Sequence, residues 1–180
     1  MEVSHFFNYF TDSPTKEAVK WLPYFEAYDM HLKKFINKKL LILEMGVSKG
    51  GSLQFWRDAL GPGARVVGLD INTKCKSHED KNIFVEIGDG RNQEFLDQVI
   101  SKYGFPDIVI DDGDHNSQSM KLSLNHLWSK LNDGGVYLIE DLHGVFWQNQ
   151  ENWDLSIFEF IFNQINALNS RGSRGSVRLR

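Results

Sequence analysis

Acidic side chains follow two apolar runs of this sequence, and their spacing favours chemistry with a metal ion. Asp111-Asp112-Gly113-Asp114-His115 follows the run 107–110, and Glu140-Asp141 follows the run 136–139. If these runs are neighbouring parallel strands, their ends lie about 5 Å apart, so the carboxylates repel one another unless a cation shares the site. A hard divalent ion such as Mg²⁺ prefers oxygen ligands and keeps waters that a substrate can displace. Beside such an ion, His115 is a candidate general base.

The acidic loop also has two simpler interpretations. One is a solvated loop made of turn-forming residues, because Asp, Asn and Gly are all common in turns. The other is a calcium-binding loop, whose template requires glycine directly after Asn116, where this sequence has Ser117. The calcium loop is therefore excluded, and the solvated loop stays open beside the metal site.

A glycine-rich stretch indicates a second kind of site. The apolar run Leu40–Leu43 is followed by Glu44-x-Gly46-x-x-x-Gly50 and then by a helical pattern. A strand, a glycine loop and a helix in this order are typical of a nucleotide-type cofactor site at the carboxyl end of a strand. Val47-Ser48 break the dinucleotide fingerprint G-x-G-x-x-G. The acidic side chain that remains suits a ligand with an ammonium group, and the alternative is a glycine-rich turn of any α/β protein.

The elements that must position these residues alternate along the chain. Five short apolar runs are predicted strands, at 40–43, 65–70, 83–87, 107–110 and 136–139. Helical patterns follow at 53–60, 95–103, 120–131 and 155–165, and an aromatic stripe from Trp21 to Phe35 predicts one more helix before the first strand. The alternation predicts an α/β fold with a Rossmann-like, doubly wound, mostly parallel sheet. Asp70 then ends the second strand, where an acid commonly accepts hydrogen bonds from a ribose diol.

The composition is that of an ordinary globular domain. The chain has 180 residues, a formal net charge of −4 and one cysteine, Cys75. This charge gives no general reason to expect nucleic acid or an anionic membrane as a partner, and one cysteine excludes an intramolecular disulfide. No apolar stretch approaches transmembrane length, and the apolar run at the N-terminus is too short for a signal peptide. A single cysteine fits a reducing compartment, so we expect a cytoplasmic protein.

Taken together, these motifs resemble class I S-adenosylmethionine-dependent methyltransferases. The resemblance covers residues 40–147. It rests on Glu44-x-Gly46-x-x-x-Gly50, Asp70, Gly88-Asp89, Asp111-Asp112-Gly113-x-His115 and Glu140-Asp141. Within that class, the sequence is similar to the metal-dependent sugar O-methyltransferases that act on macrolide antibiotics, those of mycinamicin and macrocin type. The resemblance implies O-methyl transfer to a sugar hydroxyl of a glycosylated natural product or polysaccharide, with S-adenosylmethionine and Mg²⁺ as cofactors.

The resemblance also implies roles for individual residues. The implied cofactor contacts are Glu44, Gly46, Ser48, Gly50, Ser52, Asp70, Ile71, Gly88, Asp89 and Asp111. Glu44 and Gly46 lie at the methionine end in this scheme, Asp70 at the ribose and Asp89 near the adenine. The implied metal ligands are Asp112, Glu140 and Asp141, and the implied base is His115. The acceptor is then a small molecule or glycan with a vicinal diol, and neither nucleic acid nor a membrane is an expected partner.

The chain departs from these enzymes at both ends. Ser13, Lys16 and Lys20 do not match their basic and aromatic substrate-binding segment, so the identity of the acceptor stays open. The related enzymes continue into two further strands, which this sequence lacks after Glu140-Asp141. An uncovered apolar strand at 136–139 invites pairing with another chain, so we expect a homo-oligomer or a fragment of a longer protein.

Three parts of the chain are expected. Residues 1–39 form a helical segment that acts as a lid or lines the substrate side, residues 40–169 form the methyltransferase domain, and residues 170–180 form a mobile tail. Two other functions stay open. An NAD-dependent dehydrogenase uses a similar sheet, although the missing glycine of its fingerprint argues against it. A non-catalytic cofactor-binding remnant is suggested by the short C-terminal part.

Overall fold

The described part of the chain, residues 4–146 and 154–172 of a computed structural model, contains a five-stranded sheet. The strands are β1 (Leu40–Met45), β2 (Ala64–Asp70), β3 (Ile83–Ile87), β4 (Ile108–Asp111) and β5 (Val136–Ile139). All neighbouring pairs are parallel, in the order β3-β2-β1-β4-β5. The predicted doubly wound parallel sheet is confirmed, and the described residues contain no strand after β5.

Helices flank the sheet on both sides. They are α1 (His5–Asp12), α2 (Tyr24–Leu32), α3 (Gly51–Leu60), α4 (Gln93–Tyr103), α5 (Ser117–Leu127) and α6 (Ser156–Gly172). Short 3₁₀ segments lie at Lys33–Phe35, Thr73–His78, Trp128–Lys130 and Leu142–Phe146. Asn92 and Asn116 set the starts of α4 and α5, because each side-chain oxygen accepts two backbone N–H groups of the first turn. None of the helices in the described ranges is long and apolar enough to span a membrane.

Two helix predictions need correction. The aromatic stripe began at Trp21, but α2 begins at Tyr24, and Trp21 is 50% exposed. Pro23 precedes the helix because proline has no backbone N–H and a φ angle that suits a helix start. The stripe of α6 does not form one buried face, because Phe162 and Ile165 are exposed. Helix α6 ends at Gly172, and residues 173–180 of the predicted tail lie outside the described part, so that prediction stays untested.

The core lies on both faces of the sheet, as buried parallel strands require. On one face, Ile42 and Val66 pack against α1, α2 and α3, and on the other, Leu43 and Val67 pack against α4 and α5. Buried aromatic residues of the first face are Phe6, Phe25, Tyr28, Phe55 and Trp56. Each large side chain buried in this way contributes about 1.5–3 kcal/mol. The aromatic residues therefore fix the N-terminal helices on the sheet.

The register brings the predicted site residues to one edge of the sheet. Met45 at the end of β1 pairs with Asp111 at the end of β4, which pairs with Ile139 at the end of β5. The backbone N–H of Asp112 donates to the Met45 oxygen at 3.1 Å, and that of Glu140 donates to the Asp111 oxygen at 2.9 Å. The strand order reverses between β1 and β4, and ligands of open α/β sheets bind in the crevice that opens at such a point.

Candidate active site

A cleft of about 320 Å³ lies at the carboxyl edge of β1, β2 and β4. Its walls are the loop after β1, the end of β2, the segment 88–91 after β3 and the loop after β4. The predicted cofactor residues that line it are Gly46, Ser48, Asp70, Ile71, Gly88, Asp89 and Asp111. The cleft has the volume of a small-molecule site, and most of the residues predicted to contact the cofactor meet there.

The loop after β1 approaches the loop after β4 very closely. Gly46 has a φ of +88°, and a Cβ atom at this position would lie 2.1 Å from the backbone oxygen of Asp112. Gly50 has a φ of +80° and directly precedes α3. Glycine adopts this left-handed backbone at little cost, whereas other residues are strained there. The two glycines of the motif are therefore required by the path of the backbone beneath the cleft.

Asp70 holds the glycine loop in addition to facing the cleft. Its carboxylate accepts the backbone N–H groups of Val47 at 3.0 Å, Ser48 at 3.3 Å and Asn72 at 2.8 Å. Partial burial alone would raise the pKa of Asp70, but these backbone donors outweigh it and hold the pKa below its usual value. The side chain is therefore an ionised acceptor at neutral pH.

Two other acids of the cleft have different surroundings. Asp111 is buried, and its carboxylate accepts hydrogen bonds from Ser123 Oγ at 2.6 Å and Tyr137 OH at 3.0 Å. Burial raises the pKa of Asp111, and the two donors oppose this only in part. Asp89 lies nearer the surface and pairs with the Arg91 guanidinium at 2.7 Å. Asp111 is thus a fixed part of the cleft floor, and Asp89 belongs to its solvent-facing wall.

Glu44, Gly50 and Ser52, which are also predicted to contact the cofactor, do not line this cleft. Glu44 is fully buried behind the loop, where Oε1 accepts hydrogen bonds from the Ser52 hydroxyl and from Trp56 Nε1. Burial raises the pKa of Glu44 to about 7. Glu44 does not reach the cleft because β1 is buried along its whole length. Its side chain contacts helix α3 instead of the open edge of the sheet.

A second cavity, of about 300 Å³, adjoins the first. The two share Gly46, Ser48, Asp112 and Gly113. The other walls of the second cavity include the segment 17–21 and the acidic residues after β4 and β5. Molecules bound in the two cavities would therefore meet across the loops that carry these four shared residues.

Asp112, His115 and Asp141 converge on the second cavity. Each offers one ligand atom, and these atoms lie within 4.8 Å of one another. His115 Nε2 is 3.6 Å from Asp141 Oδ2, and His115 Nδ1 is buried with no hydrogen-bond partner among the described residues. His115 and Asp141 both have a left-handed backbone, with φ of +53° and +52°, which is uncommon outside glycine and frequent at functional sites. Carboxylates with an imidazole are suitable ligands for a divalent ion, so these residues fit a metal.

Glu140, the remaining predicted ligand, is held by donors of the chain itself. Its Oε1 accepts a hydrogen bond from Tyr28 OH and its Oε2 from Lys20 Nζ, each at 2.6 Å. Lys20 Nζ also lies 2.6 Å from Asp112 Oδ2 and 3.9 Å from Glu44 Oε1. Burial alone would lower the pKa of Lys20, but the charges of the three carboxylates outweigh it and raise the pKa. A charged ammonium group therefore lies among the acidic residues of the site.

The contacts of Lys20, Tyr24 and Tyr28 were not predicted from the sequence. Tyr24 OH donates to Asp141 Oδ1 at 2.7 Å and accepts the backbone N–H of Asp141 at 2.8 Å. The sequence does indicate that Tyr24 and Tyr28 lie close together, because two tyrosines four residues apart lie on the same side of a helix. They follow shortly after a lysine with apolar neighbours on both sides. Nothing in that pattern identifies acidic residues more than a hundred positions away as partners.

Fold and site together define an α/β protein with a ligand cleft at the carboxyl edge of a parallel sheet and an acidic cavity beside it. In a comparison with known protein families, residues 43–142 match the methyltransferase domain family. The chain belongs to this family.

Similar proteins include named O-methyltransferases. The chain is 38% identical over 128 residues to the mycinamicin VI 2''-O-methyltransferase of Micromonospora griseorubida, covering 67% of this chain and 31% of that protein. It is 34% identical over 127 residues to the demethylmacrocin O-methyltransferase of Streptomyces fradiae, covering 67% and 32%. The MycE methyltransferase from the mycinamycin biosynthetic pathway, in complex with Mg and SAH, is similar in structure, with a TM-score of 0.71 and 31% identity over 83% of this chain and 46% of that chain. The chain spans about a third of the length of the curated relatives it matches.

Proposed function

We propose that this chain transfers a methyl group from S-adenosylmethionine to a sugar hydroxyl of a glycosylated natural product or polysaccharide, assisted by Mg²⁺. The observation that carries the proposal is the pair of adjoining cavities, in which only the second contains His115 and the acidic residues after β5. Family membership supports methyl transfer over the dehydrogenase alternative. The names of the relatives support a sugar hydroxyl as the acceptor.

The first cavity is proposed to hold the methyl donor. Asp70 is an ionised acceptor fixed by three backbone N–H groups, which suits the two hydroxyls of a ribose. Asp111 closes the floor beside the loop shared with the second cavity. The methyl group of a sulfonium is already activated, so the main task of these residues is to align it with the acceptor.

The second cavity is proposed to hold the acceptor and a divalent ion. Asp112 and Asp141 are the proposed ligands whose atoms already converge with His115, and Glu140 is the proposed third. When bound, Mg²⁺ supplies a Lewis acid that lowers the pKa of a nearby hydroxyl, and two adjacent hydroxyls of a vicinal diol suit such an ion. His115 is the proposed base that takes the proton of the acceptor hydroxyl at its ring nitrogen, because it lies in this cavity within reach of both carboxylates.

The proposed function is tested by incubating the chain with methyl-labelled S-adenosylmethionine and a macrolide glycoside that has a free vicinal diol. We expect labelled product with Mg²⁺ present and none after a strong chelator is added. Full activity with the chelator would remove the metal from the proposal. Absence of transfer to every diol-bearing glycoside, with normal cofactor binding, would instead favour the non-catalytic remnant.

Gly46→Ala is expected to weaken S-adenosylhomocysteine binding at least tenfold, which corresponds to about 1.4 kcal/mol. The added Cβ would lie 2.1 Å from the Asp112 backbone oxygen, so the loop must leave the cleft wall. Gly134→Ala is the matched control, because Gly134 also has a positive φ, +75°, but has nothing within 4 Å of an added Cβ. Calorimetry and thermal unfolding of both variants separate the clash from the cost of the left-handed backbone alone. If both variants bind S-adenosylhomocysteine equally well, the close approach of the two loops is not the cause of weakened binding.

Self-association is also proposed, with a second copy of this chain as the partner. Among the described residues, β5 pairs with β4 on one side only, and unpaired strand edges invite pairing with another chain. Ile157 of α6 is buried with Met120 and Val145, and Ile139 of β5 packs against the same cluster, but the side chains of one helix cannot supply the row of backbone hydrogen bonds that a strand edge requires. Phe162 and Leu168 of α6 are 63% and 69% exposed. Light scattering is expected to give a dimer or larger species, and a monomer at high concentration with β5 fully protected in hydrogen exchange would refute this.

A further inference from the structure

Residues 13–23 form a strap of bends and irregular backbone between α1 and α2, and the strap crosses the start of α3. A Cβ atom on Gly51 would lie 2.4 Å from the backbone oxygens of both Lys16 and Glu17. Gln54 Oε1 of α3 accepts the backbone N–H groups of Thr15 at 3.1 Å and Lys16 at 3.2 Å. The first half of the strap is therefore anchored on α3 by close packing and hydrogen bonds.

The second half of the strap carries Lys20 into the site. The Lys20 side chain is 1% exposed, and its Nζ lies 2.6 Å from both Asp112 Oδ2 and Glu140 Oε2. Its neighbours in the strap are open to solvent, with Val19 78% and Leu22 71% exposed. Release of Lys20 would therefore break the edge-on contact of the Trp21 ring with His143, at 5.1 Å between centroids, but no packing of Val19 or Leu22.

The ammonium group binds oxygen atoms that a divalent ion would need. Asp112 and Glu140 are two of the three proposed metal ligands, and Tyr28 already donates to the other oxygen of Glu140. Each carboxylate oxygen has two lone pairs, but two cations that bind the same oxygen repel each other strongly where water is excluded, so we expect an ion and the ammonium group to compete for these oxygens. An ion that approaches Glu140 Oε2 meets the charge of Lys20 Nζ, which lies 2.6 Å from that oxygen, and its binding therefore weakens the ion pair.

We propose that Lys20 competes with the divalent ion for Asp112 and Glu140, so that metal binding releases the ammonium group and with it residues 18–22 of the strap. The proposal rests on the metal site of the proposed function. Residues 18–21 line the second cavity, so release of the strap enlarges the space for the acceptor. Metal binding and access of the acceptor are thereby coupled.

The first test uses the unmodified chain and Mn²⁺ alone. An amine-acetylating reagent is applied with increasing Mn²⁺, and the modified lysines are measured by mass spectrometry. We expect the rate at Lys20 to rise at least tenfold as Mn²⁺ binds. The exposed lysines Lys49, on the wall of the same cavity, and Lys74, outside both cavities, are controls and are expected to change less than twofold.

The second test measures Mn²⁺ affinity by calorimetry. Lys20→Met keeps an unbranched side chain, one atom shorter, and removes the charge, and we expect it to bind Mn²⁺ at least tenfold more tightly than the unmodified chain. Lys16→Met is the matched control in the anchored half of the strap and is expected to leave the affinity unchanged. If Mn²⁺ binds while Lys20 stays protected, or if Lys20→Met binds no more tightly, the competition is refuted and the metal site remains. If neither protein binds Mn²⁺, both the competition and the metal site are refuted.

Discussion

Asp112→Asn is expected to lower metal-dependent methyl transfer by at least about 10²-fold, because loss of residues that only orient metal ligands already costs about 10–100-fold. Asp112 lies on both cavities and is one of the three residues whose ligand atoms converge within 4.8 Å. The asparagine keeps the size of the side chain and removes its charge, so S-adenosylhomocysteine affinity should change little. Turnover at saturating Mg²⁺ and calorimetric binding of the cofactor product are the two measurements.

Asp133→Asn is the control for this change. Asp133 is an exposed acid in the turn before β5, at the opposite end of that strand from the site. The control variant should retain the activity of the unmodified chain. An Asp112→Asn variant with normal activity would show that the acidic residues after β5 hold the ion without the loop after β4.

His115→Ala is expected to lower kcat by about 10²- to 10⁴-fold, the usual loss when a general base is removed. The imidazole lies beside Asp141, and its buried Nδ1 has no hydrogen-bond partner in the described part of the chain. A side chain with one nitrogen near a carboxylate and unsatisfied hydrogen-bonding capacity is well placed to accept a proton. Single-turnover kinetics at saturating cofactor and acceptor measure the change.

His126→Ala is the matched control, because His126 also lies beside a carboxylate, at 2.9 Å from Asp97, but lines neither cavity. This variant should keep the kcat of the unmodified chain. Equal kcat for the His115 variant would exclude His115 as the base and transfer the role to another group, with Asp114 as the nearest acid in the loop.

The sheet could be predicted from the sequence because its evidence is local. Each strand is a short apolar run that ends in a glycine or an acid, as in Leu40–Leu43 before Glu44, and the alternation with helices leaves few possible topologies. The carboxyl ends of such strands share one edge. Residues 70, 89 and 112 could therefore be assigned to a common site before any contact was known.

Glu44 and Lys20 mark the limits of that reasoning. The motif places Glu44 at the end of a strand but does not determine on which side of the loop its carboxylate lies. In the structure the carboxylate lies on the side of α3, where Ser52 and Trp56 donate hydrogen bonds to it. Lys20 lies in a segment without periodicity, and its partners are 92 and 120 residues away in sequence. Charge pairing over such separations depends on the completed fold, so no pattern in the neighbourhood of Lys20 identifies it.

The direction of protein synthesis gives these long separations a further consequence. Lys20, Tyr24 and Tyr28 leave the ribosome long before their partners after β5, and Tyr28 is 112 residues from Glu140. Contacts that close such long loops tend to form late in folding, because the chain loses conformational entropy when the loop closes, before the contacts stabilise the fold. A nascent chain that ends before residue 140 contains the glycine loop and Asp70 but not the acidic wall of the second cavity. Under the proposed function, we expect the cleft for the methyl donor to form from residues translated before β5, whereas the acceptor cavity cannot be complete until β5 has been translated and paired.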